Sequence, residues 1–118
     1  MAEVRTVTVS GNVSHVVLAG RLDIEGVGKI ALPLTAAAVT PRLPAMVDMS
    51  GVDFLGSLGI GMLVRCAVSL QRCGARFVLF GCQPLVRKSL ETMKLTGVLP
   101  LAEDEATAAA LLAGDDTV

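Results

Sequence analysis

Apolar positions along the chain change period several times, and each change marks an element. Val and Thr alternate over residues 4–9, the period-two pattern of a half-exposed strand. Ser10-Gly11-Asn12 is turn chemistry, and a second run over 13–19 completes a predicted opening hairpin. Gly20-Arg21-Leu22-Asp23 ends that strand. Asp23 is placed either to cap the next element, the commoner use of such a residue, or to line a site at the strand's carboxyl end. Over 24–39 the spacing becomes helical, with Val27, Ile30, Leu34 and Ala37 on one face. Gly26, Gly28 and Pro33 are poor helix residues, so this helix is expected to start late, near Lys29 with Pro33 in its first turn, or to kink. Thr40-Pro41-Arg42-Leu43-Pro44 is a connector to a third predicted strand, 45–49.

The most regular helical pattern runs over 58–73. Ile60, Leu63, Ala67 and Leu70 form its inward stripe, while Met62, Arg65, Ser69 and Arg72 recur on the outward side. Cys73-Gly74 closes it, with Gly at the C-terminal cap. Residues 76–80 are nearly all apolar, as in a strand covered on both faces. Pro84 suits the first position of a further helix. In that helix Leu85 or Val86, then Leu90 and Met93, face inward, Arg87, Lys88, Glu91 and Lys94 face outward, and Gly97 is the stop. Residues 98–101 read as a short edge strand or extended segment. Asp104 caps a last helix over 105–113, anchored by Leu111 and Leu112, and the tail beyond is polar and expected to fray.

A hairpin followed by alternating helices and strands predicts an α/β fold in one domain spanning 1–118. Its mixed sheet has four to five strands and about four helices, with parallel neighbours joined by right-handed crossovers. Sites in such sheets form beyond the carboxyl ends of the strands, where Asp23, the Gly56-Ser57 loop and the Cys82-Gln83-Pro84 loop fall.

Composition narrows the function classes. The chain has 118 residues, 53% of them apolar, and a formal net charge of −1. Mean hydropathy is high, +0.67, yet no stretch is long and clean enough to span a bilayer, which needs about 20 residues. The best candidate, 30–39, is short and carries Pro33 and Thr35. No basic, apolar leader opens the chain, so secretion and direct membrane insertion are not expected. The basic residues are scattered and form no stripe for nucleic acid. Trp and Tyr are absent, which removes the usual stacking residues. Cys66, Cys73 and Cys82 lack metal-type spacing and read as thiols in a reducing cytoplasm. His15 is the only histidine and has no Cys or carboxylate cluster near it in sequence, so a structural or surface role is expected.

The stretch from Val52 to Gly61 follows a strand and opens the best helix, and Ser57 sits where a helix N-cap belongs. A helix N-terminus favours negative charge, so a serine there carries phosphate at low electrostatic cost. Catalytic readings of the stretch fail. A nucleophile elbow needs Gly two residues before the Ser, and that residue is Leu55. No His or acid completes a triad. Gly56, Gly59 and Gly61 reverse the dinucleotide fingerprint, and no Lys follows to make a P-loop. Asp48 and Asp53 straddle a strand-to-loop corner with no shared face and read as turn and edge residues. The chain is therefore not expected to be an enzyme or to hold a cofactor.

Met46-Val47-Asp48-Met49-Ser50-Gly51-Val52-Asp53-Phe54-Leu55-Gly56-Ser57-Leu58-Gly59 resembles the core of the STAS domain family, that of the bacterial anti-sigma factor antagonists. The family core reads roughly as hydrophobic, Asp-Leu-Ser-x-Val-x-Phe-hydrophobic, Asp-Ser-Ser/Ala-Gly-Leu. The likeness runs on through Arg72-Cys73-Gly74-Ala75-Arg76-Phe77-Val78-Leu79, through Gln83-Pro84-Leu85-Val86-Arg87-Lys88-Ser89-Leu90, and through Leu95-Thr96-Gly97. Upstream, Gly20-Arg21-Leu22-Asp23 is similar to the family's Gly-x-Leu-Asp.

The resemblance implies that Ser57 is phosphorylated by a partner anti-sigma factor that is also an ATP-dependent kinase. It implies that the unphosphorylated protein binds that partner and frees the sigma factor, and that a serine phosphatase resets the switch. Two residues depart from the pattern: Gly56 replaces the family's Asp, and Leu58 replaces a small residue. STAS domains serving as subunits of lipid transporters or signalling assemblies often relax this motif. A small-ligand or nucleotide-binding module using the Asp23 and Ser57 edge is a third reading. For the partner-binding surface the sequence points to Asp23, Gly56, Ser57, Leu58, Ile60, Met62 and Arg65, with an apolar patch of Leu58, Ile60 and Met62 as its centre. It leaves open whether two copies pair.

Overall fold

A five-stranded sheet in the order β1-β2-β3-β4-β5 forms the middle layer of the structure, a computed structural model that describes residues 2–95 and 97–112. The strands are β1 (Glu3–Ser10), β2 (Val13–Leu22), β3 (Ala45–Leu55), β4 (Phe77–Phe80) and β5 (Leu101–Ala102). β1 and β2 form the antiparallel hairpin, turning through Gly11 and Asn12 at φ 58° and 66°. Each later strand runs parallel to the one before it. Between and after them lie α1 (Ile24–Ala38), α2 (Ser57–Arg72), α3 (Pro84–Thr92) and α4 (Glu105–Leu112).

Side chains alternate across the strands and so sort into two cores. Val47, Met49, Phe77 and Leu79 join Leu18, Leu22, Ile30, Leu34, Leu63, Leu70, Val86 and Leu90 under α1, α2 and α3. On the opposite face Met46, Val78 and Phe80 pack with Ala108 and Leu112 of α4. The three crossover helices share one face because consecutive parallel strands joined in strand order turn the same way each time. His15 on β2 lies on the α4 side of the sheet, its ring 5.6 Å from that of Phe80.

Several elements differ from their sequence expectation. α1 starts at Ile24, not near Lys29, because Asp23 caps it: the Gly26 N–H donates to Asp23 Oδ1 at 2.8 Å. Gly26 is needed there, since a Cβ would stand 1.9 Å from the Arg21 carbonyl oxygen. Pro33 lies within the helix on its exposed side, where the bond it cannot make is left to solvent. β3 continues through Leu55 instead of ending at Met49, because residues 51–55 pair with 19–22 of β2, which is longer too. The pairing slips at Gly51, whose missing Cβ would meet Ala19 Cβ at 3.1 Å.

α3 stops at Thr92, short of Gly97, because Lys94 adopts φ 57° and Leu95 N–H turns back to the Leu90 carbonyl at 3.2 Å. The last strand is Leu101–Ala102, slightly later than expected. α4 begins after Asp104, whose Oδ1 accepts from Thr107 N–H at 2.8 Å, and the expected end at Ala113 and the tail lie outside the described residues. Among the described residues no helix is long and apolar enough to cross a membrane.

Candidate functional site

Gly56 alone joins β3 to α2. Its N–H donates to the Leu22 carbonyl at 3.1 Å, and its own carbonyl accepts from Ile60 N–H at 3.0 Å, so Gly56 is the N-cap. Ser57 is therefore the first helical residue and not the cap that the sequence suggests. The hydroxyl is not used to close the helix. It is exposed and has no hydrogen-bond partner among the described residues. With no capping side chain on Gly56, the first-turn N–H groups keep their donor capacity beside that hydroxyl.

The glycine at 56 has a local cause. A Cβ there would meet Phe54 Cε2 at 3.2 Å, tighter than ordinary contact, so any side chain would have to displace the ring. Arg21 stacks on the Phe54 ring, its guanidinium carbon 4.4 Å from the ring centroid. Arg21 also reaches Asp23, Nε to Oδ2 at 3.4 Å. The Gly26 N–H, and after it Arg21, hold the Asp23 carboxyl below its ordinary value. Asp23 thus serves as a cap and an anchor for Arg21. It borders a polar depression of about 180 Å³ with Arg21, Glu25 and Lys29, separate from the groove that Ser57 lines.

That groove, about 590 Å³, runs between the start of α2 and α3. Asp53, Phe54, Gly56, Ser57 and Ile60 form one wall; Leu85, Val86, Lys88, Ser89, Thr92 and Met93 form the other. Its rim is apolar: Phe54, Leu85 (76% exposed) and Met93 stand open, with half-exposed Leu58 nearby. Lys88 has no acidic partner among the described residues.

The expected patch of Leu58, Ile60 and Met62 is corrected here. Ile60 is 6% and Met62 2% exposed, and both belong to the core. Met62 turns inward because α2 packs on α1 as well as on the sheet, which widens its buried arc to Gly59, Ile60, Met62, Leu63, Cys66, Ala67 and Leu70. Leu58 and Arg65 do face solvent. The sequence reading missed Phe54, Leu85, Met93 and Lys88 as groove residues. For Leu85 the available signal was helical phase, one residue off the inward pair Val86 and Leu90; Met93, expected inward and on their face by phase, is open because α3 ends at Thr92.

At the third loop, Gln83 Nε2 donates to the Ser50 carbonyl at 2.9 Å, and Asp48 Oδ1 accepts from Ser50 N–H and Oγ at 2.9 and 2.7 Å. These contacts brace the sheet edge. Burial pushes the Cys82 thiol up to about 11. Among the described residues no cluster of three or more His, Cys, Asp or Glu is placed to hold a metal ion.

No curated protein matches this chain. Among solved structures it is similar to an anti-sigma factor antagonist from Mycobacterium paratuberculosis, with TM-score 0.84 and 23% identity over 96% of this chain and 95% of that one. It is similar to the anti-sigma factor antagonist SpoIIAA in its unphosphorylated form (TM-score 0.73, 21% identity, 97% of each chain). The phosphorylated form of SpoIIAA, a Bacillus cell fate determinant, gives TM-score 0.66 and 19% identity over 94% and 99%. The murine Solute Carrier 26 family member A9 anion transporter also shares the fold, with TM-score 0.74 and 15% identity over 87% of this chain and 18% of that one. Identities this low establish the fold and no more. The family model of the STAS domain matches residues 5–108, the hairpin, the sheet and its helices together, and the chain belongs to the STAS domain family.

Proposed function

We propose that this chain is an anti-sigma factor antagonist that works by partner switching in the cytoplasm. Unphosphorylated, it binds an anti-sigma factor that is also a serine kinase. Phosphorylation of Ser57 releases it, a serine phosphatase restores it, and the domain itself performs no chemistry. The observation that carries this reading is the Ser57 hydroxyl, exposed and unpaired at the lip of an apolar groove. A partner seated on Phe54, Leu58, Leu85 and Met93 would cover that hydroxyl and remove water from it.

A phosphate adds about −1.5 to −2 charges at that point. The start of α2 returns only about 0.3–1 kcal/mol, whereas desolvating the charge inside an interface costs several kcal/mol. The fold therefore tolerates the group and the complex does not. Ser57→Asp is expected to weaken partner binding at least about tenfold, ~1.4 kcal/mol, with thermal stability little changed, while Ser57→Ala binds as the parent does. Titration calorimetry of the two variants checks this, and equal affinities would sink the switch.

A second reading is a STAS subunit of a transporter assembly that is never phosphorylated. It is favoured by Gly56, which replaces the acid expected before the serine, and by the fold shared with an anion transporter. Incubation with the cognate anti-sigma kinase and ATP, followed by intact mass, separates the two: one added phosphate supports the switch, an unchanged mass supports the subunit.

A further inference from the structure

Among the described residues the two most exposed large apolar side chains are Ile24 and Leu32, 78% and 83% exposed, and both lie on α1. They stand four residues to either side of Gly28, so the three form one row along the helix. The rest of that outward face is poor in charge. Glu25 and Lys29 pair with each other at 3.4 Å, and past Lys29 the exposed positions are Leu32, Pro33, Thr35 and Ala36. A helix face turned to water differs: α3 sets Arg87, Lys88 and Glu91 outward. Gly28 has no cause within the fold. Gly26 and Gly59 are held small by nearby backbone, but a Cβ at Gly28 would meet nothing within 4 Å. Glycine weakens a helix interior, and one of its uses is to let another backbone come close.

We propose that the outward row of α1 is the contact between two copies of this chain, whose α1 helices cross antiparallel at Gly28 about a twofold axis. The row has the i, i+4 spacing, and two such rows interdigitate at a crossing angle of about 50°. Ile24 and Leu32 each lie about 6 Å of rise from Gly28, so the axis sets Ile24 of each copy beside Leu32 of the other. Glu25 and Lys29 share one flank of the row, and the same axis brings Glu25 of one copy within about 3 Å of rise of Lys29 of the other. The charges therefore complement each other twice across the axis. A second copy fits this face better than a protein docked at Ser57 does, because the row runs away from that edge: Leu32 is about 12 Å of rise from the start of α1. A single helix pair falls at the low end of specific interfaces, so the dimer is expected to half-dissociate at roughly 100 μM.

Sedimentation equilibrium of the full chain, from about 10 μM to about 1 mM so as to bracket that constant, tests the pairing. The parent is expected to pass from monomer to dimer across the range. Gly28→Gln and Leu32→Glu both place their side chains in open space, so circular dichroism should show the fold unchanged while self-association weakens at least about tenfold. Glu25→Lys should also weaken it, by gathering cations at the axis. The double variant Glu25→Lys with Lys29→Glu should restore it, since the exchanged charges still complement each other. A parent that stays monomeric throughout would overturn the proposal, and loss of anti-sigma factor binding in Leu32→Glu would then assign the face to that partner. A dimer that survives both Gly28→Gln and Leu32→Glu would overturn it as well, by placing the contact on another face. None of these outcomes depends on whether Ser57 accepts a phosphate.

Discussion

Gly59 and Gly61, two residues apart on α2, make opposite demands on a methyl group. A Cβ on Gly59 would stand 2.8 Å from Leu55 Cδ1 and 2.9 Å from the Leu22 carbonyl oxygen, so this glycine lets the helix lie close against the strands. Gly59→Ala is expected to destabilise by roughly 1–3 kcal/mol. Gly61 faces open space apart from Arg65, and Gly61→Ala should gain up to about 1 kcal/mol of helix propensity. Urea denaturation followed by circular dichroism reads both, and effects of the same sign would contradict the packing described.

The cysteines differ in the same local way. Burial raises the Cys66 and Cys82 thiols, the latter to about 11, while Cys73 is exposed at the end of α2. At pH 8 a thiol reagent should label Cys73 well ahead of the other two, and mass mapping of partial labelling checks the order. The bearing of Ser57 also belongs to this scale. Its position near a helix start was legible in the sequence, but its freedom from capping depends on Gly56 taking the extended conformation, φ −90° and ψ 179°.

For the elements, the caps decide where helices begin. Asp23 closes α1 through Gly26 N–H and Asp104 closes α4 through Thr107 N–H, and these bonds lower both carboxyl ionisations below the ordinary 3.8. A lowered folded-state value means that the stabilisation is complete above 3.8 and is lost as pH falls through the still lower folded value. Asp23→Ala should therefore lower the melting temperature at pH 7, and its deficit against the parent should shrink as the pH drops below 3.8. A deficit constant from pH 7 to 2.5 would assign Asp23 no cap role. α1 shows why composition misled: three helix-breaking residues suggested a late start, yet burial of Val27, Ile30, Leu34, Ala37 and Ala38 holds the helix through Pro33. Propensity is a local preference, and tertiary packing outweighs it here.

For the whole molecule, two cores share one sheet, and they are expected to unfold together. Leu63 lies in the core under α1–α3 and Phe80 in the core under α4. Leu63→Ala and Phe80→Ala should each cost about 2–5 kcal/mol and shift a single transition. Coincident melting by circular dichroism and by the His15 NMR signals would show it, and a split transition would show that the α4 face folds independently.

The period of apolar residues was enough to read the strand and helix order, the parallel sheet, the inward stripe of α2 and the edge on which Ser57 lies. Those features are local or follow from chain handedness. Only the tertiary structure decided which residues line the groove, that Met62 is buried, and that β3 runs on to Leu55. Each of these depends on a partner element distant in sequence: α1 beside α2, β2 beside β3, α3 across the groove. The pattern on one segment cannot state what packs against it.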